Sequence, residues 1–139
     1  MNISAKTDYA CRALLALCLH WPNEKPIQMN DIATRHKIPL KFLTQILIQL
    51  KATGLVQSIR GKNGGYVLVK KPIDITLYDI LVVFEANTLA INNDRDCGNA
   101  LNEIWTDIND TMENKLKEYN FEKILQKHNS QNDVVMFQI

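Results

Sequence analysis

The sequence predicts a mainly α-helical fold that carries one small β-hairpin, and three observations lead to this prediction. Apolar residues recur at helical spacing in several separate stretches of the chain. Between two of these stretches, short β-branched segments flank a cluster of glycines, as in a hairpin. The length of 139 residues, with 46% hydrophobic and 22% charged side chains, suits one globular domain with an appended helix.

The first helix is predicted to begin after Ser4, which can cap it, and to end near His20, before the turn-forming stretch WPNEKP. Its apolar positions are Tyr9, Ala10, Ala13, Leu14, Leu17, Cys18 and Trp21. A second, short helix is predicted over Met29 to His36, after one extended pair of residues. Two helices in this order suggest the start of a helix-turn-helix unit.

The third predicted helix covers residues 39–53, with Pro39 in its first turn and Gly54 as its stop. The predicted core face consists of Leu40, Leu43, Ile46, Leu47 and Leu50, and the opposite face of Lys41, Thr44, Gln45, Ile48 and Gln49. Lys41, Thr44 and Gln45 share one exposed face near the N-terminus of the helix, from which side chains reach base edges in a DNA groove. The amide of a glutamine at this position, Gln45, can form two hydrogen bonds with an adenine base.

Residues 58–69, SIRGKNGGYVLV, lie between two predicted strands, and this excludes a nucleotide-binding P-loop, which must open a helix. Helix, short helix, helix and then a two-stranded ribbon make a winged helix-turn-helix, with this segment as its wing. Glycine allows the tip to approach a sugar-phosphate backbone closely, while Arg60 and Lys62 supply charge and Asn63 a hydrogen-bonding group. An ordinary basic surface hairpin is the alternative interpretation.

In the second half, Thr76 and Asp79 form a capping box for a further helix that packs on the winged domain. A longer helix follows, with an apolar stripe at Leu101, Ile104, Trp105, Ile108, Met112 and Leu116. Burial against the same chain is one interpretation of this stripe. We favour pairing with a second copy, because so small a domain has little core left to cover it. The stretch HNSQND near the end is read as a polar linker.

Charge divides the chain at Lys71. Residues 1–71 hold 11 Lys and Arg against 3 Asp and Glu, a formal charge of +8, and residues 72–139 hold 5 against 12, a formal charge of −7. A basic first half is expected to meet a polyanion. We therefore expect a winged helix-turn-helix DNA-binding domain over 1–71, with double-stranded DNA as partner, and a helical dimerisation and sensor region over 72–139 packed on it.

The sequence argues against several other classes of protein. No leader segment and no run of about 20 apolar residues is found, so we expect a cytoplasmic protein with no membrane partner. The histidines show no metal-ligand spacing, and no nucleophile with a base or paired carboxylates is evident, so neither a metal site nor an enzyme is expected.

The segments TDYACRALLALCLH, IPLKFLTQILIQLKATGLVQSIRGKNGGYVLVKKP and ITLYDILVVFEA resemble, in order and spacing, the Rrf-two family of bacterial transcription regulators. This family includes the iron-sulfur cluster regulator, the nitric-oxide-sensitive repressor and the cysteine-metabolism repressor. The resemblance is close over roughly residues 1–86, and RGxxGGYxL is its most specific part. It implies a homodimeric regulator on an inverted-repeat operator, with the long helix pairing the chains, and we expect this regulator to be a repressor.

Matched positions in the family, together with the residue-level expectations above, give the predicted DNA-binding residues. These are Lys6, Tyr9, Asn30, Pro39, Leu40, Lys41, Phe42, Thr44, Gln45, Ser58, Arg60, Gly61, Lys62, Asn63 and Gly64. Two departures stand out, since the family commonly has Ser at the position of Pro39, and its cluster-binding members frequently have Glu at that of Thr44. Operator preference therefore does not carry over.

Cluster-binding members of the family place three cysteines in the loop before the dimer helix, whereas this chain has only Cys97 there. A cluster normally needs four protein ligands, so no iron-sulfur cofactor is expected. Cys97 is the candidate for a thiol redox sensor or else an incidental thiol, and Asp94 and Asp96 beside it would raise its pKa. A winged-helix protein-interaction module that binds a metabolic enzyme is the alternative of another class.

Overall fold

The computed structural model describes residues 2–22, 25–86 and 99–137, with side chains through residue 133. These ranges contain six α-helices and one hairpin. The helices are α1 (Ala5–Leu19), α2 (Met29–His36), α3 (Leu40–Ala52), α4 (Leu77–Phe84), α5 (Asn99–Glu118) and α6 (Phe121–Phe137). The strands are β1 (Val56–Ile59) and β2 (Gly65–Leu68), and a 3-10 turn at Pro72–Asp74 leads from the hairpin to α4. The predicted mainly α fold with a hairpin wing is confirmed.

Capping residues fix the helix starts much as the sequence predicts. Ser4 accepts a hydrogen bond from the Thr7 backbone N–H at 3.2 Å, and Thr76 and Asp79 form the complete capping box of α4. Pro39 differs slightly from its prediction, because it is the N-cap of α3 and lies just before the first turn. Its carbonyl accepts from the N–H groups of Phe42 and Leu43, both at 3.0 Å.

The hairpin pairs Val56 with Leu68 and Ile59 with Gly65 in an antiparallel register. Ile27 adds a bridge on the other side of β2, where its backbone exchanges hydrogen bonds with Tyr66 at 2.8 and 3.0 Å. Gly65 lies in this crowded position with a φ of +152°, and a Cβ atom there would collide with the Ile27 backbone. Glycine is therefore required for the wing to pair with the segment before α2.

One hydrophobic core draws on both halves of the chain. Residues of α1 and α3 such as Leu14, Leu43 and Leu47 are fully buried together with Ile80 of α4 and Phe121 of α6. The prediction that Leu40 belongs to the core face of α3 is wrong, since this side chain is 46% exposed. It lies in the first turn of α3, at the exposed end of a helix whose core positions begin at Leu43.

The two C-terminal helices pack differently from the prediction. Helix α5 contacts α4 through Leu116, which is buried against Leu81. Helix α6 begins with Phe121, which is 1% exposed in the core, and continues through residues 128–133. The prediction of a polar linker there is wrong, because these polar residues belong to the later turns of a helix that is anchored in the core at its other end. No helix in the described ranges combines the length and hydropathy needed to cross a bilayer.

Candidate nucleic-acid interface

Helix α3 presents a polar face to solvent, as its sequence predicts. Lys41, Thr44, Gln45 and Ile48 are all exposed, while Leu43 and Ile46 on the other side are fully buried. The Gln45 amide has no hydrogen-bond partner among the described residues, so both its donor and its acceptor remain available to a base edge. Gln45 is therefore the side chain of this face best suited to direct base readout.

Thr44 is placed less favourably for base contacts than its sequence position suggests. Its hydroxyl donates to the Leu40 carbonyl at 2.9 Å and also lies 3.6 Å from the sulfur of Met29 on α2. A threonine hydroxyl has one proton, so while it donates within the helix it offers only its acceptor lone pairs to another partner.

Aromatic packing links α1 to the start of α3. The rings of Tyr9 and Phe42 lie 5.7 Å apart between centroids, and both pack against the core. The Lys41 ammonium lies 5.2 Å from the Phe42 ring centre, and the Arg12 guanidinium 5.7 Å from the Tyr9 ring centre. Phe42 and Tyr9 thus each contact a surface cation through the face of the ring. Their role as direct DNA contacts stays a prediction.

The wing tip is a tight glycine turn that carries exposed cations. The Gly64 N–H donates to the Gly61 carbonyl at 3.0 Å, and Gly61 has a φ of +117°. Arg60, Lys62 and Asn63 are exposed around this turn, and Gly64 is buried beneath it. A Cβ atom on Gly64 would meet backbone atoms of Ile59 and Arg60, so the compact turn depends on this glycine.

Lys51, which the sequence reasoning missed, connects α3 to the wing. Its ammonium donates to the Ser58 hydroxyl of β1 at 2.9 Å. Ser58 is half-buried, and its hydroxyl already accepts a hydrogen bond within the protein. Lys51 is an exposed cation between the helix and the hairpin. The available signal was its position seven residues after Thr44, which places both on the same face of a helix.

Helix α3 and the wing carry cations and no acidic residue of their own, while Asp31 of α2 lines a groove beside Asn63 and Gly64 at the wing tip. Between Asp31 and Asp74 the sequence contains eight Lys and Arg residues and no Asp or Glu. The ion pairs found in the described ranges join Arg12 to Asp8 and pair lysines with glutamates on α5, so none involves α3 or the wing. A surface of this kind attracts a phosphate backbone.

The remaining predicted phosphate contacts lie beside this surface. Asn30 is exposed in the first turn of α2. Lys6 is half-buried at the start of α1, with its ammonium 5.9 Å from the Phe84 ring centre. Nearby, the fully buried Thr7 donates its hydroxyl proton to the Glu85 carboxylate at 2.6 Å, and the Ser4 N–H donates to the same oxygen at 2.9 Å. The end of α4 therefore anchors the first turn of α1.

The predicted dimer stripe on α5 divides into two parts. Met112 and Leu116 pack on α4 of the same chain. The four earlier residues remain about half exposed, namely Leu101 at 49%, Ile104 at 54%, Trp105 at 48% and Ile108 at 48%. An apolar helix face of this kind is typical of an interaction surface.

The described thiols are poorly suited to chemistry. Burial raises the pKa of Cys11 to about 12, with a further contribution from the Asp8 charge, and burial alone raises the pKa of Cys18 to about 12. Both are therefore protonated at neutral pH. In the described part of the chain, no three His, Cys, Asp or Glu side chains are grouped so as to hold a metal ion. The predicted sensor residue, Cys97, lies outside the described residues.

The three-helix unit, the wing and the exposed cations together define a winged helix-turn-helix protein of the DNA-binding class. Comparison with known proteins specifies this class further. The family model for Rrf2, described as an iron-dependent transcriptional regulator, matches residues 3–127. The chain belongs to the Rrf2 family of transcriptional regulators, as its sequence resemblance predicted.

Relatives that are named as transcriptional regulators support this assignment. The HTH-type transcriptional regulator CymR of Bacillus subtilis is 31% identical over 139 residues, which cover 100% of both chains. The solved structure of CymR, described as the global cysteine regulator of B. subtilis, superposes with a TM-score of 0.81 and 31% identity over 91% of this chain and 98% of that one. A putative rrf2-like regulator of Rhodobacter capsulatus is 40% identical over 81 residues, 57% of this chain, and the match spans only 54% of that relative.

Proposed function

We propose that this chain is a homodimeric repressor that binds an inverted-repeat operator, with α3 in the major groove and the wing on the adjacent backbone or minor groove. The observation that carries the proposal is that α3 and the wing include no Asp or Glu and expose Lys41, Gln45 and Arg60. The Lys51 to Ser58 hydrogen bond joins the two elements, so that they would meet the duplex as one surface.

Gln45 and the wing cations are assigned different tasks. A glutamine amide forms two hydrogen bonds with adenine in the major groove and so contributes to sequence preference. Arg60 and Lys62 contact phosphate or the minor groove and contribute affinity that depends on salt but little on sequence. Thr44 acts through its acceptor or its methyl group, because its proton is already donated to Leu40.

Two copies are needed to read an inverted repeat. The half-exposed stripe of α5 supplies an apolar surface for pairing with a second copy, and a two-fold dimer would present two α3 helices about one DNA turn, roughly 34 Å, apart. Joining two weak half-site contacts in this way raises the overall affinity without any new contact.

The experiment begins with selection of bound fragments from the source genome by the purified protein. On the best fragment, Arg60→Ala should weaken binding to all sequences about five- to tenfold and lower the salt slope by about one, because one phosphate contact is lost. Gln45→Ala should instead relax base preference at one position of each half-site, with a loss of about tenfold on the selected sequence only. Fluorescence anisotropy over a salt series measures both.

Lys123→Ala is the matched control, because it removes an exposed cation of α6, far along the chain from α3 and the wing. It should leave affinity and salt slope unchanged. If Arg60→Ala and Gln45→Ala both bind DNA like the wild type, the docking proposed here is wrong. Absence of DNA binding by the folded wild-type protein would favour the alternative of a winged-helix module that binds another protein.

We also propose that the regulator works without an iron-sulfur cluster, although its family is described as iron-dependent. The residues present do not fit such a group. The chain has three cysteines, and Cys11 and Cys18 are protonated residues of α1 whose pKa is raised to about 12. One remaining thiol per chain is too few ligands for a cluster.

The same observation favours thiol redox sensing by Cys97 as a second candidate function. Because the pKa of both Cys11 and Cys18 is raised to about 12, Cys97 is the thiol left to form a thiolate. Protein purified anaerobically should show no absorption band at roughly 400 to 450 nm. Cys97→Ser should bind DNA like the reduced wild type and lose any response of DNA binding to peroxide or hypochlorite.

Cys18→Ser serves as the matched thiol control and should keep the wild-type oxidant response, provided that circular dichroism shows a native fold. A visible absorption band in the anaerobic protein would overturn the cluster-free proposal. Persistence of the oxidant response in Cys97→Ser would contradict redox sensing by Cys97. It would not contradict the proposed DNA-binding function.

A further inference from the structure

A groove of about 470 Å³ lies behind the wing, on a part of the protein that the proposed DNA contacts do not use. One wall is the end of α1 and the residues after it, with Leu17, His20 and Trp21. Lys25 and Ile27 border it on the way to α2, and the wing strands close it through Gln57, Ile59 and Val67. Its size falls within the range of small-molecule sites.

The chemistry of the lining is mixed in a way that suits a small ligand. Trp21 is 39% exposed and Ile59 40% exposed, which is a large apolar surface for one groove to present to water. The described lining residues include Lys25 and His20 and no Asp or Glu. Lys25 makes no ion pair within the described ranges, so its ammonium is available to an incoming anionic group.

We propose that this groove binds a small organic anion with an aromatic or branched apolar body, and that its occupancy acts on the wing. The apolar body would lie against Trp21 and Ile59, where burial replaces water at an exposed apolar surface. The anionic group would meet Lys25, with the Gln57 amide as a hydrogen-bond donor.

The floor of the groove explains how such a ligand would reach the DNA surface. Ile59 is the last residue of β1 and is followed at once by Arg60 and the glycine turn. The facing strand is held by the backbone pairing of Tyr66 with Ile27, and both of these residues also line the groove. A ligand that contacts both strands would shift the wing toward the position that it binds more tightly.

The test uses 8-anilino-1-naphthalenesulfonate as an anionic aromatic probe and N-phenyl-1-naphthylamine as its uncharged counterpart. Lys25→Glu should weaken binding of the sulfonate about fivefold and leave the uncharged probe within about twofold, because only the charge contact is reversed. Trp21→Ala should weaken both probes, because it removes the shared apolar contact. Probe fluorescence, excited directly and not through tryptophan, measures each affinity.

Lys123→Glu is the matched charge reversal outside the groove and should bind both probes like the wild type. If Trp21→Ala binds both probes unchanged, there is no site in this groove. If Lys25→Glu leaves sulfonate binding unchanged, the anionic class of ligand is wrong. Circular dichroism of each variant separates these outcomes from loss of fold.

The effect on the wing rests on the proposed DNA-binding function and is measured separately. Saturating sulfonate should change affinity for the selected DNA fragment, and saturating DNA should change sulfonate affinity by the same factor, since coupling between two sites is reciprocal. Equal affinities with and without the second ligand would overturn the action on the wing. A wild-type protein that binds the probe but no DNA would instead contradict the proposed function, with the groove retained.

Discussion

His36, at the end of α2, illustrates how a single residue makes the fold sensitive to pH. Burial lowers its pKa from the usual 6.5, and the charges of His128, Arg35, His20 and Arg12 lower it further. The unfolded chain therefore binds more protons than the folded chain as the pH falls below about 6.5. Stability contributed by neutral His36 is complete above that pH and is lost as the pH falls toward the lowered value.

His36→Gln should therefore flatten the acid side of the stability profile. Between pH 7.5 and pH 5, we expect the Tm of the variant to fall less than that of the wild type, because the variant has no side chain at residue 36 that must take up a proton on unfolding. Differential scanning calorimetry over this range measures it. The prediction fails if the two profiles are parallel at every pH, since the variant would then have removed packing and not a titration.

Individual side chains of the candidate site were predictable to different degrees. Exposure of Lys41 and Gln45 follows from helical periodicity alone, because the buried positions of α3 determine its outer face. The engagement of Thr44 with Leu40 and of Ser58 with Lys51 does not follow from spacing. These hydrogen bonds depend on rotamers and on how the wing packs beside α3, which are set by tertiary structure.

At the scale of the element, caps and turns were predictable and the last helix was not. Ser4 and the Thr76 capping box act within one turn, so their sequence signals are local. Helix α6 instead depends on Phe121, whose burial against α1 cannot be read from a polar stretch several residues later. Residues 128–133 are helical because that anchor stabilises the turns that follow it.

Gly65 is the residue on which the wing most depends as an element. Alanine there must adopt a φ of +152° and fit its Cβ against the Ile27 backbone, so Gly65→Ala should lower the free energy of unfolding by about 2–3 kcal/mol. Gly54→Ala is the control, since Gly54 also has a positive φ of +80° but has open space around it. It should cost only about 1 kcal/mol.

Urea denaturation of both glycine variants measures these differences. Gly65→Ala should also weaken DNA binding, because the displaced wing no longer presents Arg60 beside α3, whereas Gly54→Ala should bind with unchanged affinity. Equal destabilisation by the two substitutions would show that backbone strain, and not the close approach to Ile27, is what requires glycine at residue 65.

On the scale of the whole molecule, the two oppositely charged halves share one core. Ile80 and Phe121 of the acidic half are buried with Leu14 and Leu43 of the basic half. The charge asymmetry therefore distinguishes two surfaces of one packed unit and not two separate domains. The acidic half leaves an apolar face of α5 exposed, and the proposed pairing with a second copy rests on this face.

Dimerisation through α5 is tested by placing charge on that face. The double variant Ile104→Glu and Ile108→Glu should be monomeric in light scattering, because two carboxylates cannot be buried without partners in an apolar interface. Its own fold should persist, since both side chains are about half exposed in the single chain. Affinity for an inverted repeat should fall about 100-fold, while affinity for a single half-site should be unchanged, because only the linkage of two sites is lost. Thr106→Glu, on the opposite face of α5, should remain dimeric and bind like the wild type. A double variant that stays dimeric would place the interface elsewhere, and a monomer with undiminished operator affinity would show that a single chain reads the operator.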